Sequence, residues 1–237
     1  MATYYSPKIV TDGLTLCLDA ANYKSFVSGS TTWYDLARQG FTGSLINGPT
    51  YTASNAGAII FDGSNDYALI PSSSLVSSSQ MTFSVWNFGI SAQNSEIVWF
   101  ENSSAVRVLG VALPWGDGTI YFDSGNGNGS LVGICDRISK SAGTDYIGWN
   151  YWTFTKNSST GTMRIYRNGQ LWHSGTGQNA PVGAAAGSAF LCAANVGIPG
   201  AVYHNGRIGI AKLYSRELSQ SEVLQNYNAT KTRFGLI

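Results

Sequence analysis

Trp115 stands between Pro114 and Gly116 in the run LPWGDGT, and Asp117 follows two positions later. An indole displayed at a loop tip can stack on the apolar face of a sugar ring, and a carboxylate beside it can accept the ring's hydroxyl hydrogen bonds. Trp115 and Asp117 are therefore the candidate glycan contacts. Trp86, Trp99, Trp149, Trp152 and Trp172 fall instead in strand-like runs, where a buried indole serves as core. Two groups of acids have the oxygen-rich character that a hard cation needs: Asp62, Asn65 and Asp66 in FDGSNDY, and Asp117 with Asp123. Such residues also build turns by hydrogen-bonding their own backbone. No cofactor is called for; these residues would admit Ca2+, but turn-building is the favoured reading.

The residues for catalysis are sparse. Glycoside hydrolysis needs two carboxyl groups held at a fixed separation across the scissile bond. Glu96 and Glu101 flank IVWF at an odd offset, which in a regular strand sends them to opposite faces. Glu217 and Glu222 have a helix-end explanation. His173 and His204 lie on or beside strands with no serine or cysteine in a recognisable nucleophile motif. Cys17, Cys135 and Cys192 form no C-x-x-C pair and read as small buried hydrophobes. GNGNG lacks the strand-then-helix setting of a phosphate cradle. The chain is expected to be non-enzymatic.

Composition narrows the partners. The 14 Lys+Arg against 13 Asp+Glu leave a formal charge of +1, so no global field attracts nucleic acid or anionic lipid. No run approaches the ~20 apolar residues of a membrane span, and MATYYSPKIVTDG has no basic segment followed by an apolar one, so neither a span nor a cleaved signal is expected. A chain of 237 residues suffices for one large sandwich, here residues 9–237 preceded by an arm, residues 1–8.

The elements that would position these groups are mostly strands. LTLCLDA alternates, with Leu14, Leu16 and Leu18 on one face. AIIFDGSNDYALI reads as two short strands about a polar hairpin or corner. MTFSVWNFG carries large groups on both faces, as a central strand would. Asn168-Gly169 marks a tight hairpin in TMRIYRNGQLWHSG, fed by a third strand in YIGWNYWTFTKN. NGRIGIAKLY is the last strand, with Ile208, Ile210 and Lys212 alternating against Gly209, Ala211 and Leu213. Ser219 and Glu222 then form a capping box, flanked by Leu218 and Val223 as a hydrophobic staple, which predicts a short closing helix with an apolar stripe of Val223, Leu224 and Tyr227.

In their order, VTDGLTLCLDAANYKSF, TTWYDLA, IIFDGSNDYALI, MTFSVWNF, WNYWTFTKN with RIYRNGQL, and GRIGIAKLYSRELSQSEVLQNYNATKTRFG resemble the laminin-G-like branch of the concanavalin A-like lectin/glucanase superfamily. The resemblance implies an all-β fold, a two-sheet antiparallel jelly-roll β-sandwich with adjoining chain ends and a short C-terminal helix. The E-x-D-x-x-E arrangement of that superfamily's glucanases does not occur. LSQSEVLQNYNATKTRFG is similar to the tails of tailed-phage structural proteins, which implies a non-enzymatic virion component. With no repetitive stalk before the sandwich, the expectation is a capsid decoration or cement protein, made in the host cytoplasm and residing on the virion. The partners would be capsid or other virion proteins, a second copy of this chain, or surface glycans. Tyr4, Tyr5, Lys231 and Arg233 are the candidate partner contacts. The alternative is a carbohydrate-binding adhesion module for host surface glycans, with a glycoside hydrolase ranked third.

Overall fold

The computed structural model describes residues 8–37, 39–54, 57–125, 135–197 and 200–237. Alternating apolar positions place nearly every regular segment in a strand. The first six are β1 (Leu14–Asp19), β2 (Thr32–Tyr34), β3 (Thr42–Ile46), β4 (Thr50–Thr52), β5 (Ala58–Asp62) and β6 (Tyr67–Leu69). Then come β7 (Gln80–Gly89), β8 (Val98–Glu101), β9 (Arg107–Ala112), β10 (Thr119–Gly125), β11 (Cys135–Ser141) and β12 (Gly148–Asn157). The last six are β13 (Thr162–Arg167), β14 (Gln170–Gly175), β15 (Ala189–Leu191), β16 (Ala193–Ala194), β17 (Val202–Tyr203) and β18 (Asn205–Tyr214). One helix, α1 (Gln220–Asn228), and a 3-10 turn, Lys231–Phe234, close the chain.

Among the described residues two eight-stranded antiparallel sheets face each other. The first runs β14-β13-β12-β7-β18-β5-β4, with β1 also on β18; the second runs β11-β10-β9-β8-β15-β6-β3-β2. β5 and β6 belong to different sheets, so the polar stretch between them is a corner. Between the layers lie Met81, Phe83 and Val85 of β7, Trp152 and Phe154 of β12, and Ile120 and Phe122 of β10. Phe122 meets Phe154 edge-on across the gap at 5.4 Å, joining the layers through an aromatic pair. The hairpin between β13 and β14 turns on Asn168 and Gly169, both at positive φ, as a two-residue loop of this hand requires.

β18 departs from strict alternation. Its register against β7 shifts between Ile208 and Ile210, so Ile208 enters the central core while Ile210 joins the opposite face with Trp86, Trp149, Tyr151 and Phe234. A bulge inserts one residue and reverses every side chain beyond it. The expected grouping of Ile208, Ile210 and Lys212 on one face is thereby corrected: Ala211 and Leu213 join Ile208 in the core.

The outer face of the first sheet is covered by the chain's end. Ser219 and Glu222 form the complete capping box of α1. Val223 is buried, with Leu218, Tyr214, Tyr166 and Val10. Phe234 stacks on Trp86 at 4.1 Å and lies 4.7 Å from Trp149. Asn226, fully buried, accepts from the Val10 amide at 2.8 Å and donates to the Tyr214 hydroxyl at 3.0 Å. Gln225 donates to the Lys8 carbonyl at 2.7 Å, so the start of the described chain meets the closing helix.

Candidate functional site

On the outer face of the second sheet, strand pairing assembles a polar row. Asp123 of β10 lies opposite Gly110 of β9 and Arg137 of β11, and Gly110 in turn lies opposite Trp99 of β8. Their neighbours Phe122 and Ile138 point into the core, so Tyr121, Asp123 and Arg137 point out of it. Asp123 is nonetheless almost fully buried, because two guanidiniums close over it. Arg137 binds both its oxygens, at 2.5 and 2.8 Å, and Arg107 reaches Oδ2 at 3.0 Å. Arg107 gets there by lying across Gly110, where an added Cβ would stand 2.7 Å from the arginine's Cδ. A glycine at this strand position is what lets the second arginine in. The guanidiniums also ride on rings, Arg107 5.3 Å from Trp99 and Arg137 4.7 Å from Tyr121.

The turn before β10 supplies the rim. Trp115 donates its amide to the Thr119 carbonyl and accepts from Gly118, both at 2.9 Å, which fixes the loop that carries the indole. Asp117 accepts from the Thr119 amide at 2.8 Å and from the Tyr121 hydroxyl at 2.7 Å. The Tyr121 hydrogen bond, followed by that from Thr119, holds the Asp117 carboxyl below its ordinary range. Trp115, Asp117, Tyr121, Arg107 and Arg137 enclose, with Glu96, a cavity of about 270 Å³. That is just below the roughly 300–1,000 Å³ of typical small-molecule sites.

Glu96 forms the cavity's inner wall. It is 5 % exposed, and its Oε2 has no hydrogen-bond partner among the described residues. Burial pushes its carboxyl up to about 8, Asp123 adding to the shift while Arg107 and Arg137 oppose it. At neutral pH Glu96 is therefore mostly a neutral acid, able to donate as well as accept. The expectation that Glu96 and Glu101 point to opposite faces is corrected. Ile97 and Val98 both enter the core, which breaks the alternation, and Glu101 lies on the outer side with Trp99, whose indole donates to it at 2.8 Å.

The other anticipated residues are dispersed. Asp62 accepts from the Ser64 amide at 2.8 Å and its own amide donates to Asp66 at 3.3 Å, while the Asn65 carbonyl accepts from Asn47 at 2.8 Å. These groups serve the corner itself. Asp123 is held by two arginines that a cation would have to displace, so the pairing of Asp117 with Asp123 is not a calcium geometry. Among the described residues no three His, Cys, Asp or Glu side chains are grouped as metal ligands. Arg233 forms a two-pronged ion pair with Asp19, both contacts at 2.8 Å, and Lys231 lies 5.7 Å from the Tyr227 ring. Tyr4 and Tyr5 lie outside the described residues, as does the arm they were assigned to apart from Lys8, and so does the GNGNG loop beyond Gly125.

One constellation had no signal in the sequence. His204 lies 3.1 Å from the Ser95 hydroxyl and 3.3 Å from Asn87 Oδ1, a serine–histidine–asparagine relay in outline. All three are buried, and desolvation lowers the histidine to about 3, so it is neutral and sealed from any substrate. This is a structural network.

Two facing antiparallel sheets, a helix over the closing ends and a polar-aromatic hollow on one outer face define a lectin-like jelly roll. A family model described as the concanavalin A-like lectin/glucanases superfamily matches residues 62–224, and the chain belongs to that superfamily. Comparison with curated protein sequences gives no match. Among solved structures, the binding domain of botulinum neurotoxin DC in complex with rat synaptotagmin II is similar at a TM-score of 0.71 and 14% identity, covering 93% of this chain and 52% of that one. The same toxin domain in complex with SialylT gives 0.69 at 12% identity, with the same coverage. Domain 4 of AbnA, a GH43 extracellular arabinanase from Geobacillus stearothermophilus, in complex with arabinotriose, gives 0.64 at 19% identity, covering 90% of this chain and 98% of that domain. This chain spans about half the length of the toxin domains. At these identities the likeness is one of fold; two of the similar structures named here are toxin binding domains and the third is a domain in complex with arabinotriose.

Proposed function

We propose that this protein is a non-catalytic carbohydrate-binding module that takes sugar in the Glu96–Trp115–Tyr121 cavity. The observation that carries the reading is the joining of a partly exposed indole, a rim carboxylate and a buried acid with an oxygen that has no hydrogen-bond partner among the described residues around one hollow. Stacking would supply apolar contact, while Asp117 and Glu96 would take hydroxyl hydrogen bonds. The arabinotriose and SialylT complexes of similarly folded domains support the reading. The carboxylates also support a role without hydrolysis: Asp123 is neutralised by its arginines and Asp117 is tied to Tyr121, so among the described residues lining the cavity no second carboxyl stands ready to act with Glu96.

On a glycan array the wild-type protein is expected to give saturable binding. Trp115→Ala should weaken it about tenfold or more, the loss of one well-used aromatic contact of roughly 1.4 kcal/mol. An unresponsive array would remove the reading.

The resemblance of LSQSEVLQNYNATKTRFG to tailed-phage structural proteins supports the virion as the place where this module is displayed, fixed to shell or tail proteins by its remaining surface. Mass spectrometry of purified particles should then find it at high copy number, and its absence from particles would discard that setting.

A further inference from the structure

We infer that the cavity selects uncharged sugars and discriminates against those bearing a carboxylate, an inference that rests on the sugar-binding reading above. A pocket with two arginines suggests at first sight a receptor for sialic or uronic acids, since guanidinium is the natural partner of carboxylate. The geometry argues otherwise. Arg137 spends its Nε and one terminal nitrogen on Asp123, and Arg107 is drawn to the same carboxylate. Both guanidiniums also lie over rings, Arg137 over Tyr121 and Arg107 over Trp99.

The charges that face an incoming ligand then cancel. Asp123 offsets one of the two guanidiniums, and Asp117 at the rim offsets the other. Glu96 at the inner wall adds either a neutral acid or a further negative charge, never a positive one. A ligand carboxylate entering here would leave water for a site with no net positive charge and would approach two further carboxyl groups. Removing an anion from water without a full counter-charge is strongly unfavourable. A neutral sugar meets no such penalty, and its hydroxyls match the acceptors there: Asp117 at the rim and, once it is reached, the buried Glu96 Oε2, which has no partner among the described residues. The inner wall itself thus acts as the element that excludes acidic sugars.

The test uses matched pairs on one array, lactose-type oligosaccharides with and without a terminal sialic acid and neutral hexose oligomers beside their uronic-acid counterparts, probed with the full chain at pH 7. The expected result is binding to neutral members at least tenfold stronger than to their acidic partners. Glu96→Gln, which keeps shape and removes the ionisable group, should abolish any further decline of binding between pH 7 and 9, whatever its own affinity at pH 7. Acidic members binding as well as neutral ones, with Trp115→Ala weakening both, would overturn the selectivity while keeping the sugar site. No binding to either member of any pair would overturn the sugar reading and the selectivity with it.

Discussion

Replacing Phe234 by alanine is expected to destabilise the protein by about 3–5 kcal/mol, the range for emptying a buried phenylalanine site. At roughly 2–4 °C per kcal/mol for a chain of this size, calorimetry should record a fall in melting temperature of about 10 °C. The cause is specific. Phe234 is the plug of the aromatic layer on the outer face of the first sheet, stacked on Trp86 and against Trp149. Removing residues 219–237 should have a larger effect, because it also strips Val223 from its cluster and leaves the Val10 amide and the Tyr214 hydroxyl without Asn226. Total stability is typically only about 5–15 kcal/mol, so the truncated chain should fail to fold cooperatively at 37 °C. Unchanged melting would mean that the closing segment contributes nothing to the sandwich.

The second large effect is expected at Asp136. Lys156 is completely buried between the sheets, its ammonium 2.6 Å from Asp136 and 2.9 Å from the Ser124 carbonyl. Burial lowers its pKa, with Asp136 opposing the shift. Asp136→Ala strands that ammonium and takes the acceptor of the Ala180 amide, which lies 2.8 Å away. Breaking a buried pair from one side destabilises by roughly 3–5 kcal/mol. The double variant Asp136→Leu/Lys156→Met should recover most of the loss, since apolar replacement of both partners is often neutral or better. Urea denaturation of the three proteins decides it: a single variant as stable as wild type would show that Lys156 finds water or another partner.

How much of this was legible in the sequence depended on the range of the interaction. The Asn168-Gly169 hairpin and the Ser219–Glu222 cap are short patterns whose geometry is set within four residues, and both appear as read. Trp115 and Asp117 were visible for the same reason, being neighbours in one turn. The rest of the cavity was not. Glu96, Arg107, Tyr121 and Arg137 come from four separate segments, and only the pairing of β8, β9, β10 and β11 brings them to one face. The alternation of Tyr121 and Asp123 with Ile120 and Phe122 does mark an outward polar face, but register against Arg137 is a long-range property. The bulge in β18 was hidden similarly, because NGRIGIAKLY alternates acceptably in two phases and only its partner strand chooses between them.

The face shared by the start and the close of the chain has an outcome for how such a module is carried. With Val10 and Phe234 both packed on the outer face of the first sheet, entry and exit of the polypeptide lie on one side of the sandwich. A host protein could therefore accommodate the whole sandwich within a surface loop on two tethers that leave from that side. Transplanted in that way, the sheet bearing Trp115 would travel as a ready-made cassette.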